Sequence, residues 1–65
     1  MEANLEKLQA AMMSVIWCEQ AGDLMSLPRN ESRLMDAAMA CGASFEEPCY
    51  LTWAAMRVTD WLVSS

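Results

Sequence analysis

Histidine is absent from the chain, and glycine and proline occur only twice each. Without an imidazole there is no serine–histidine or cysteine–histidine pair to activate a nucleophile, and the commonest neutral metal ligand is missing. The glycines, Gly22 and Gly42, stand far apart. No glycine-rich loop can therefore cradle a phosphate, and the G-x-S-x-G elbow of serine hydrolases is missing too. Basic residues are also scarce, four Lys and Arg against nine Asp and Glu, for a net charge of -5. Counterion release from nucleic acid needs clusters of cations, so neither nucleic acid nor an anionic membrane surface is an expected partner. Long apolar runs are lacking. The longest, Ala10 to Cys18, is interrupted by Ser14 and falls well short of the roughly eighteen residues of a spanning helix.

Cysteine is present but in a form that excludes its usual structural uses. Cys18, Cys41 and Cys49 are three, an odd number, with no C-x-x-C pairing. A disulfide framework or a structural zinc site is not expected from that pattern. No charged start followed by an apolar core precedes them, so the expected compartment is a reducing, cytoplasmic one. Cys18 and Cys41 lie at apolar helical positions where a thiol acts as a small hydrophobe, and Cys49 is the one expected to be accessible.

What the 65 residues do contain is apolar surface, 55% of the composition. A chain of this length hides only roughly 60% of its unfolded surface. With neither disulfide nor metal expected, the remaining route to stability is association, and a homodimer or a complex with another protein is predicted.

The periodicity predicts an all-α fold with three helices. The first runs from about Glu2 to Ala21, with Leu5, Leu8, Met12, Val15 and Ile16 as its core stripe and Gly22 as its stop. A second, weaker stripe of Ala10, Met13, Trp17 and Ala21 makes this helix apolar nearly all round and supplies the predicted dimer interface. Turn chemistry between Gly22 and Asn30 leaves the break open, with Pro28 either in a turn or opening the next helix. The second helix is predicted over about Glu31 to Cys41, with Leu34, Met35, Ala38 and Cys41 inward and Gly42 ending it. The third is predicted from Pro48 to about Val63, its start set by a Ser44–Glu47 capping box or by Pro48 in the first position. Its core stripe is Leu51, Ala54, Ala55, Val58 and Leu62. These elements suit a small three-helix bundle in which the first and third helices pair, or a bent helical hairpin, in either case completed by dimerisation.

Candidate chemistry is thin. Glu46 and Glu47 are adjacent, so on a helix they diverge and form no facing acid–base pair; as acids at a helix start they favour the macrodipole. Seven methionines fill space flexibly, and Met13 and Met39, off the main stripes, are the ones expected at a surface. The informative pattern is Tyr50, Trp53, Arg57 and Trp61, spaced three or four residues apart on one side of the third helix, with Asp60 able to pair with Arg57. Tyr, Trp and Arg dominate interface hot spots, since each joins a large apolar surface to a polar group. Those five residues form the candidate protein-binding site.

The expectation is a non-enzymatic, cofactor-free helical binding protein, an adaptor or inhibitor. Very small, acidic, motif-free chains resemble accessory proteins of phages and mobile elements in general character. The alternatives are a subunit or co-chaperone that folds with a larger partner, and, less favoured, an acidic nucleic-acid mimic, for which the carboxylates are too dispersed.

Overall fold

The first two helices of this chain end where a glycine allows them to. Gly22 and Gly42 take φ of +71° and +105°, the left-handed region that other residues enter only with strain. In the computed structural model, which describes residues 2–64 and no side-chain detail for Glu2, the helices are α1 (Glu2–Ala21), α2 (Leu27–Ala40) and α3 (Tyr50–Ser64). No strand occurs among the described residues. At both glycines the reversal recaptures free carbonyls in the Schellman pattern. Asp23 N–H donates to Cys18 O and Gly22 N–H to Glu19 O; Ala43 N–H donates to Ala38 O and Gly42 N–H to Met39 O.

Two helix starts differ from the sequence expectation. α2 begins at Leu27, four residues before the predicted Glu31, because Pro28 falls in the first turn, where its missing N–H has no intrahelical partner to lose. The Asp23 carboxylate accepts the Ser26 N–H at 3.3 Å and steadies the turn leading in. α3 begins at Tyr50 instead of Pro48. The expected capping box does not form: Ser44 Oγ accepts the Glu46 N–H at 3.1 Å and Ser44 O accepts the Glu47 N–H, closing a separate turn. Pro48 disfavours helical geometry at Glu47 and so divides that turn from the helix.

The core is small and shared by all three helices: Leu5, Leu8 and Val15 from α1, Leu34 and Ala38 from α2, Ala54 and Val58 from α3. Met12, Leu51 and Cys41 pack against it half-buried, and Cys18 is buried beside it. The tightest pairing is α1 with α2, and not α1 with α3 as the helix lengths suggested. Two thiol hydrogen bonds fasten that antiparallel pair at its ends. Asn30 Nδ2 donates to Cys18 Sγ at 2.9 Å, and Cys41 Sγ donates to Asn4 O at 3.3 Å.

α3 starts beside Val15 and Glu19 of α1, where Cys49 to Leu51 share a cavity wall with them. Its Arg57 lines a small cavity with Asn4 and Leu5 near the other end of α1. α3 therefore runs opposite to α1 and in the same general sense as α2, and residues 41–49 carry the chain back along the bundle. The result leaves α3 on one flank of the α1–α2 pair and, among the described residues, nothing on the other.

Candidate functional site

That uncovered flank is a groove of about 490 Å³ between α1 and α2. Its floor is made of short side chains, Ala10, Ala11 and Ser14 from α1 and Ala37 and Ala40 from α2, with Lys7, Arg33 and Asp36 on the rim. Short residues at helical spacing on two neighbouring helices let a third backbone approach closely. Ser14 also belongs to a second depression with Met13, Trp17 and Asn30, so the groove continues towards the C-terminal end of α1. Ser14 itself turns its hydroxyl back to Ala10 O at 3.0 Å, which satisfies it locally.

Ala10, Met13, Trp17 and Ala21, the residues of the predicted dimer interface, all lie on the solvent side of α1. Trp17 is 64% exposed and Met13 55% exposed. They are held there because Leu5, Leu8 and Val15 occupy the opposite side of the same helix and face both neighbours. Leu24 and Met25, in the turn after α1, are more exposed still. Met39 is exposed as well, on α2.

The aromatic stripe of α3 is placed differently. Tyr50, Trp53, Arg57 and Trp61 do share one side of the helix, but each is half-buried, and the three aromatic residues pack against the core. Ala55 and Leu62, expected inside, are exposed, Leu62 by 55%. The physical reason is area: each aromatic ring buries far more apolar surface than an alanine or a leucine near the chain end, so α3 turns its rings towards α1 and α2. The Tyr50 hydroxyl is committed internally, lying 3.0 Å from the carbonyls of both Ser44 and Phe45, where it ties the 41–49 segment to the start of α3. Asp60 is exposed next to Ala55, Met56 and Thr59.

Cys49 is exposed and sits just before the first residue of α3. The Thr52 hydroxyl donates to its sulfur at 3.3 Å. That bond and the backbone N–H groups of Thr52 and Leu51 hold the thiol below its ordinary pKa, with the Glu19 carboxylate working against them. Among the described residues no group of His, Cys, Asp and Glu is arranged to hold a metal ion, and no helix is long and apolar enough to cross a membrane.

No protein-family model matches the chain, and no curated protein or solved structure matches it. The site is thus defined by geometry alone. The sequence reading missed the groove rim, Lys7, Arg33 and Asp36, because those residues read singly as ordinary solvated charges. A usable signal existed in the small residues Ala10, Ala11 and Ser14 and Ala37 and Ala40, which recur at helical spacing on consecutive helices.

Proposed function

We propose that this chain acts by binding another protein, as an adaptor or inhibitor without turnover, in the cytoplasm. One observation carries the reading: an indole stands 64% exposed on the outward, apolar face of α1, beside Met13. A folded helix gains nothing from a tryptophan in water, whereas a partner that covers it gains a large rigid apolar contact, which is why Trp is enriched among hot spots. The half-buried aromatic side of α3, Tyr50, Trp53, Arg57 and Trp61, with exposed Asp60, offers a second contact surface whose rings pack against the core.

The test is capture of the partner by the whole chain, followed by titration of the purified partner against wild type and Trp17→Ala. The expected loss is about 2 kcal/mol, the scale of a hot spot. Equal affinity of the two chains would remove Trp17 from the site. A specific observation also favours the reading as a subunit that folds with a larger partner. Met56 and Val63, seven residues apart, are exposed on one side of α3, and Leu62 is exposed near its end. A chain that gains most of its helicity only when the partner is added would favour that second reading.

A further inference from the structure

We infer that the occupant of the α1–α2 groove is a second copy of this chain, seated through the Ala10, Met13 and Trp17 side of its own α1. The inference rests on the binding role proposed for that face and names the partner. α3 covers one flank of the α1–α2 pair, and the opposite flank is vacant and floored by alanines, which is the place a further helix takes in a four-helix bundle. The helix that fits must itself present short side chains at its crossing point, and α1 does so at Ala10 and Ser14.

Electrostatics selects this face over the others. Two chains of net charge -5 repel, so they associate where the local charge is least negative. The groove lining carries Lys7 and Arg33 against Asp36 alone. Arg29 lies on the same helix as Arg33, four residues away, so α1 and α2 hold three of the four basic residues of the chain. The acidic residues Glu19, Asp23, Glu31, Glu46, Glu47 and Asp60 lie off the lining of the groove; Glu6, exposed on α1 one turn before Ala10, adds a second carboxylate beside Asp36, so that Lys7 and Arg33 leave this face near neutral in a chain of net charge -5.

A two-fold contact is isologous, so each half-contact occurs twice. Two antiparallel α1 helices crossing midway between Ala10 and Ser14 put Lys7 opposite the partner's Trp17, within range of a cation–π contact. The area suffices. α1 has 20 residues, about 30 Å of helix, and with its neighbour offers a strip roughly 20 Å wide. That matches in scale the roughly 800 Å² per partner of a standard interface. The isolated chain exposes 4594 Å², against about 4,200 Å² expected for a monomer of its mass.

The experiment is sedimentation equilibrium of the full chain from about 1 to 300 µM, with helicity measured on each sample. Wild type is expected to reach twice its 7.3 kDa mass. Trp17→Glu and Ala10→Glu, both at exposed positions, are expected to stay helical and to weaken self-association by about 30-fold or more. Met56→Glu, on the outward side of α3, is expected to leave it unchanged. Should Trp17→Glu lose helicity, Ala10→Glu decides. A wild-type monomer at every concentration overturns the inference, and it does so even where Trp17 still binds a foreign protein, in which case the binding role survives. A dimer broken by Met56→Glu but not by Ala10→Glu or Trp17→Glu overturns it in favour of α3.

Discussion

Trp17 on α1 and the pair Trp53 and Trp61 on α3 occupy helical stripes of the same spacing, yet the first stands in water and the others rest against the core. The difference teaches what periodicity can specify. It tells which residues share a side of a helix; it does not tell which side the neighbouring helices cover. α1 meets both α2 and α3 through Leu5, Leu8 and Val15, so no third helix remains for its far side. α3 has fewer aliphatic residues to offer, only Ala54 and Val58 being buried, and its rings supply the area that aliphatics supply elsewhere.

The comparison breaks most readily through stability. Leu8, with none of its surface exposed, should lose about 3 kcal/mol on replacement by Ala, since the transfer and cavity terms both apply. Trp61→Ala and Trp53→Ala should lose about 2 kcal/mol each, less than a fully buried Trp because each is only half-buried. Trp17→Ala should lie within about 0.5 kcal/mol of wild type when measured at a concentration where the chain is monomeric. Urea unfolding of the four variants ranks them. If Trp17→Ala proves as damaging as Trp61→Ala, the two sides are not different and the outward face of α1 is not free for a partner.

A smaller effect sharpens the comparison of the two helix ends. Gly22→Ala and Gly42→Ala meet no steric obstacle, since nothing lies within 4 Å of an added Cβ at either site. Their cost is therefore conformational alone, about 1 kcal/mol each for forcing an L-residue to positive φ. Thermal melts that leave either variant unchanged would mean that the chain ends that helix in another way.

The sequence was legible where a single rule decided. α1 appears with its predicted bounds, Glu2 to Ala21, because a long apolar stripe and a terminal glycine agree. The all-helical class and the buried Leu5, Leu8, Val15, Leu34, Ala38, Ala54 and Val58 follow from the same periodicity. It failed where two local signals competed. Pro28 was compatible with a turn or a first helical turn, and Ser44–Glu47 matched a cap that Pro48 prevents from joining the helix. It failed also at Ala55 and Leu62, because the choice between their side and the ring-bearing side of α3 depends on neighbours that the local pattern does not specify. The groove between α1 and α2 was the least legible feature, being a property of two helices and of where the third does not go.

The smallest effect compares the three thiols. Cys18 is buried and receives a hydrogen bond from Asn30, Cys41 is half-buried and donates to Asn4 O, and Cys49 is exposed with Thr52 donating to it. Reaction needs access to the sulfur, so in the folded chain alkylation should proceed fastest at Cys49, then Cys41, then Cys18, and in denaturant the three rates should converge. Thr52→Val removes the first of the bonds that lower the Cys49 pKa and should move the pH midpoint of its alkylation upwards. The sign of the coupling to folding follows. A thiol whose pKa is lower folded than unfolded binds its proton less tightly when folded, so its contribution to stability is fully present above the unfolded value. It is lost as the pH falls through the folded value. Stability should thus rise slightly between those two values, and the rise should shrink in Thr52→Val. A Cys49 that alkylates no faster than Cys41 at neutral pH would show that the Thr52 hydroxyl does not hold the sulfur as its 3.3 Å approach indicates.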